Sequence, residues 1–114
     1  MTDWDEMIAF ALALPLTTLG SSYGTPALKV RGKLLARLRE DGAMVLKVED
    51  GLRETLIETQ PEVFFTTEHY AGYPMLLVRL EAAEAGQLGG LIERGWGGLV
   101  PMKLREARKA GAPG

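Results

Sequence analysis

Apolar residues recur along this chain with two periods, and the points where the period changes divide it into elements. Trp4, Met7, Ile8, Ala11 and Leu12 sit at helical spacing and give one apolar stripe. Thr2, with Asp5 three residues on, predicts the start of that helix, and Pro15 predicts its end. Leu16 to Gly24 reads as a connection, with Ser21, Ser22 and Gly24 as turn formers. The period then falls to two: Leu28 and Val30 oppose Lys29 and Arg31, and Leu34, Ala36 and Leu38 oppose Leu35, Arg37 and Arg39. With Arg31-Gly32-Lys33 as a loop, Val30 pairs with Leu34 and Leu28 with Ala36. Glu40-Asp41-Gly42 is a three-residue loop ending in glycine, suited to a type I turn followed by a left-handed position. It sets Leu38 against Met44, Ala36 against Leu46 and Leu34 against Val48, a register that a one-residue slip would turn to solvent.

Further on, Asp50 reads as the cap of a short helix with Leu52, Leu56 and Ile57 on its apolar side, closed by Pro61. Val63 to Thr66 is a short strand, 68–74 a turn region, and Met75 to Leu80 the last strand. Leu88, Leu91, Ile92, Trp96, Leu99 and Val100 return to helical spacing. Gly89, Gly90, Gly95, Gly97 and Gly98 each cost that helix about 1 kcal/mol relative to alanine, so packing of Trp96 and the leucines must hold it together. Pro101 breaks or kinks it. The order α-β-β-β-α-β-β-α predicts an α+β fold, an antiparallel sheet with helices on one face. Residues 1–109 form one domain in this reading, and 110–114 a frayed tail.

Composition narrows the function classes. At 114 residues, with 46% hydrophobic and 25% charged positions, the chain can bury one core and no more. It has no cysteine, which removes disulfides and thiolate metal sites and fits a reducing compartment. No apolar run approaches the ~18 residues a membrane span needs, and the acidic start (Asp3, Asp5, Glu6) is unlike a signal peptide. The expectation is a cytoplasmic protein without membrane contact. The net charge of −2 hides a segregation. Lys29, Arg31, Lys33, Arg37 and Arg39 stand in a stretch without acids, whereas 40–68 holds eight acids against Lys47 and Arg53. Such asymmetry bears on partners, not on fold.

Chemistry is scarce. One histidine and no cysteine make no transition-metal site, and no nucleophile or phosphate-loop motif surrounds Ser21, Ser22, Thr25 or His69. The expectation is no metal, no cofactor and no enzyme. His69 most simply orders its own turn. The informative feature is the outer sheet face, where the register gathers Lys29, Arg37, Arg39, Lys47 and Arg79 among Leu35, Val45, Met75 and Leu77. Together with Arg31 and Lys33 on the hairpin, these cations could hold phosphates of double-stranded DNA. A solvated face whose long stems cover apolar neighbours explains the same pattern. Leu35, Val45 and Leu77 could equally be the seam of a homodimer or another protein contact. A third reading is a small-molecule pocket near Tyr23, Thr25, His69, Tyr70 and Tyr73, where polar aromatics share two loops.

Two long segments, Tyr23 to Ala36 (YGTPALKVRGKLLA) and His69 to Leu80 (HYAGYPMLLVRL), resemble the MmcQ/YjbR family. The match extends to the N-terminal Trp4-Asp5-Glu6 helix and to Trp96, Pro101 and Lys103. The resemblance implies a CyaY-like (frataxin-like) α+β sandwich, and members are commonly named DNA-binding proteins. It brings no catalytic residues. Frataxin-like iron handling would need an acidic ridge on the first helix, where only Asp3, Asp5 and Glu6 are available. The glycine-rich last helix departs from the family pattern of polar helix formers.

Overall fold

In the computed structural model, which describes residues 2–49 and 51–109, one antiparallel sheet of six strands carries the chain in the order β1-β2-β3-β4-β6-β5. The strands are β1 (Thr17–Ser22), β2 (Thr25–Val30), β3 (Lys33–Leu38), β4 (Met44–Lys47), β5 (Phe64–Phe65) and β6 (Met75–Val78). Four helices accompany them: α1 (Trp4–Leu12), α2 (Leu52–Thr59), α3 (Ala85–Gly97) and α4 (Met102–Lys109). Met7 and Ala11 of α1, Leu56 of α2 and Leu88, Ile92 and Trp96 of α3 join Leu28, Ala36, Leu46 and Leu76 of the sheet in one core. The chain is thus α+β with its main core between helices and one sheet face. None of the helices among the described residues is long and apolar enough to cross a membrane.

Several local expectations change. Asp3, not Thr2, caps α1: its carboxylate accepts from the Glu6 amide while the Glu6 carboxylate accepts from the Asp3 amide, a reciprocal capping box. Thr2 is buried instead and ties the N-terminus down, donating its hydroxyl to the Ala83 carbonyl at 2.8 Å. The segment read as a connection contains β1, an uncharged edge strand paired along its whole length with β2. It alternates poorly because most of it is exposed, so no buried face wrote a period into it. The expected Asp50 cap of α2 lies outside the described residues, as does the 110–114 tail; Gly51 stands at the N-cap position. Pro101 divides the final helical stretch into α3 and α4, its carbonyl accepting from the amides of Leu104 and Arg105.

The first hairpin register also differs. Arg31 and Gly32, both left-handed at φ 55° and 82°, form a two-residue turn, so Val30 faces Lys33 and not Leu34. A β-bulge restores Leu28 opposite Ala36, with Leu35 as the extra residue in β3. Leu35 therefore enters the helix-side core beside Ala36, while Leu34 pairs with Lys29. The second hairpin follows its expected register at Leu38–Met44 and Ala36–Leu46, but the expected Leu34–Val48 pair is lost, because the bulge turns Leu34 to the other face. Gly42 takes φ 90°, the Gly42 amide donates to the Arg39 carbonyl, and the Arg39 amide donates to Ala43.

Candidate ligand-binding site

One row of residues crosses all six strands on the sheet face away from the main core: Gly20, Ala27, Arg37, Val45, Leu77 and Phe65, each opposite the next. Ala27, Val45 and Leu77 have no solvent exposure. Leu35, Val45 and Leu77, the expected dimer seam, are therefore absent from the surface. The connection from β5 to β6 folds back over this face, and Tyr70 in its 3-10 turn reaches Arg37. Arg53 of α2 clasps that connection from the other side, donating to the carbonyls of Tyr70, Ala71 and Tyr73. The same guanidinium donates to Glu54 and so holds that exposed carboxyl below its ordinary pKa. Arg53→Ala should loosen the clasp, costing about 1–2 kcal/mol in urea unfolding and speeding amide exchange at 68–73. Unchanged exchange there would mean the connection holds itself.

Among the described residues, Arg37 is the only charged one that is buried, at 8% exposure. Its Nη1 donates to the Tyr70 hydroxyl at 2.9 Å and its Nη2 to the Thr25 hydroxyl at 3.2 Å. Thr25 is fixed for this by donating its own hydroxyl to the Ser22 carbonyl. The Arg37 Nε has no partner, and no carboxylate of the described residues lies within 4 Å of the guanidinium. Its hydrogen-bond acceptors are therefore neutral, and it makes no ion pair among the described residues.

Above Arg37 opens a cleft of about 460 Å³ lined by Tyr23, Arg37, Arg39, Glu40, Asp41, Thr67, His69 and Tyr70. Tyr23 comes from the β1–β2 turn, Glu40 and Asp41 from the β3–β4 turn, and Thr67, His69 and Tyr70 from the β5–β6 connection. Arg39 is spent on Asp41 at 3.2 Å, and the same carboxylate caps the Ala43 amide. Glu40 is exposed. The cleft thus carries two cations and two acids, but one acid is already paired and the deep charge is Arg37. His69 meets Tyr70 edge-on at 4.7 Å, and Tyr73 completes a ring cluster behind them.

A larger cavity, about 610 Å³, lies between α3 and α4, where Arg108 pairs with Glu93, Arg94 with Glu49, and Arg105 donates to the Gly97 carbonyl. Its three arginines are thus already engaged, two by carboxylates and one by a carbonyl, and Glu106 completes the lining.

Lys29, Arg37 and Lys47 share the sheet face away from the main core, as the expected register has it, but the five cations assigned to that face and the two on the hairpin do not form one open basic surface. Arg31 and Lys33 are exposed at the far end of β2 from the cleft, and the bulge sends Lys33 to the face opposite Lys29. Lys29 and Lys47 are half-buried, and Arg79 donates to the Pro61 carbonyl with its guanidinium 4.2 Å over the Phe65 ring. Arg37 and Arg39 alone meet, in the cleft. Of the pocket residues, Tyr23, His69 and Tyr70 line it, Thr25 holds Arg37, and Tyr73 stands behind. Sequence reasoning placed Arg37 with the phosphate-binding cations. The signal that could have moved it was a lone arginine facing alanine and valine in its neighbouring strands.

The family model YjbR matches residues 12–97. The chain belongs to the YjbR family. The YjbR chain is 32% identical to uncharacterized protein Rv2570 of Mycobacterium tuberculosis (strain ATCC 25618 / H37Rv), over 94% of this chain and 95% of that one. Uncharacterized protein Mb2600 of Mycobacterium bovis is similar to the same degree. Among solved structures, Deinococcus radiodurans protein DR2400, a DUF419 domain, shares the fold of this YjbR chain with TM-score 0.74 at 20% identity, covering 99% of this chain and 91% of that one.

Proposed function

We propose that this domain is a binding module for a small molecule bearing an oxyanion, a carboxylate or phosphate held by Arg37. The observation that carries the reading is a buried guanidinium at a cleft floor with neutral acceptors only. A charge removed from water is costly unless paired, and an arginine presents a planar fork matched to carboxylate or phosphate. Thr25 and Tyr70 hold the fork in place before any ligand arrives, which lowers the ordering cost of binding. The cleft volume suits a small molecule. The proposed role is binding, with the Tyr70 and Thr25 hydroxyls beside Arg37 holding its guanidinium.

Titrating the protein with benzoate and with phenyl phosphate at constant ionic strength tests this by NMR. The Arg37 side-chain and Tyr70 ring signals should shift saturably, and Arg37→Gln should weaken binding at least tenfold while keeping a folded spectrum. Undiminished affinity in that variant would reject the site. Salt-sensitive duplex DNA binding that survives Arg37→Gln but is lost on Arg31→Glu with Lys33→Glu would place the function on the far hairpin instead.

A further inference from the structure

We infer that the oxyanion of this ligand is borne on a planar aromatic or heteroaromatic ring that stacks against Tyr23. The inference rests on the oxyanion reading and adds the rest of the ligand. Tyr23 is 86% exposed, yet its ring is not spread at random over the surface: the Arg37 guanidinium carbon lies 5.4 Å from its centroid. Across the cleft stand His69 and Tyr70, locked edge-to-face at 89° and backed by Tyr73. A flat ring entering beside Arg37 therefore finds a π face on one wall and two rings on the other, a lining that favours stacking over aliphatic packing.

The backbone at Tyr23 points the same way. Tyr23 and Gly24 form the β1–β2 turn with φ 53° and 78°, both left-handed. The first position of such a turn suits Asn, Asp or Gly, and a tyrosine there is strained. At that strained, exposed position the ring contributes nothing to the core, and what it does touch is the Arg37 guanidinium. Tyr70 differs: its hydroxyl is already spent on Arg37, so it positions the guanidinium as well as forming a wall.

The test uses matched pairs of probes with the full chain: benzoate against cyclohexanecarboxylate, and phenyl phosphate against methyl phosphate. Wild-type protein should prefer each aromatic member at least fivefold. Tyr23→Asn, which suits the turn and should fold at least as well, should erase that preference while oxyanion binding remains. Tyr23→Phe should keep it. Equal affinity for both members in the wild type would overturn the ring inference and leave the oxyanion reading intact. Failure of all four probes to bind would remove the oxyanion reading itself, and the ring inference with it. Preference for the aromatic members that persists in Tyr23→Asn would also overturn the inference, by placing the stack on His69 and Tyr70 alone.

Discussion

Replacing Trp96 by alanine should cost this domain about 3–5 kcal/mol, a large share of the roughly 5–15 kcal/mol that holds a small domain folded. Trp96 is 1% exposed, among the largest side chains wholly inside the core, and it sits on α3 facing the sheet. Its loss opens a cavity that the surrounding leucines fill only in part. A second contribution comes from its Nε1, which donates to the Pro15 carbonyl at 2.8 Å. That bond ties α3 to the exit of α1, 81 residues away in sequence, and alanine would leave the half-buried carbonyl without it. Urea unfolding should show the whole effect as a lower midpoint. Trp96→Phe should recover most of the packing and expose the hydrogen-bond part. A loss under about 1 kcal/mol for Trp96→Ala would mean that α3 is not anchored by this residue.

Two glycines of the same helix should respond to alanine with opposite signs. A Cβ built on Gly95 would lie 2.7 Å from the Lys47 carbonyl oxygen and 3.1 Å from Leu35 Cδ1. The first neighbour is sheet backbone and cannot swing aside, so α3 would have to lift off β4. Gly95→Ala should therefore destabilise by about 1–3 kcal/mol, and Gly95→Val by more. Gly90 is exposed, and nothing lies within 4 Å of its would-be Cβ. There only propensity acts, and Gly90→Ala should gain about 1 kcal/mol. Matched urea curves for the two variants decide it: equal signs would show that helix propensity, and not the approach of α3 to the sheet, governs both positions.

That pair shows where reading residues in order reaches its end. By composition the glycines of α3 are a uniform weakness. In three dimensions Gly95 is the contact surface of the helix, Gly89 would meet Phe10 at 2.9 Å, and Gly90 is merely tolerated. The same division runs through the sheet. The Glu40-Asp41-Gly42 loop was legible because its turn chemistry is local, with one glycine placed where a left-handed residue is needed. The Leu35 bulge was not, because strict alternation assigns Leu34 and Leu35 to the wrong faces as soon as one residue is unpaired. That single extra residue moved a leucine from the supposed binding face into the core and split the cations of the first hairpin between two faces.

The sequence by itself determined the α+β class, most of the element order and register, and family membership, since these rest on short-range periods, turn residues and two long motifs. It also picked out Tyr23, His69 and Tyr70 as a group, because polar aromatics in two loops stand out without any contact being known. Only the tertiary structure decided which of the cations is buried. Arg37 looks like its neighbours until the β5–β6 connection folds over it, and burial without a counter-charge is a property of what surrounds a residue, not of the residue. Strand alternation says which way a side chain points; it does not say what will lie on top of it.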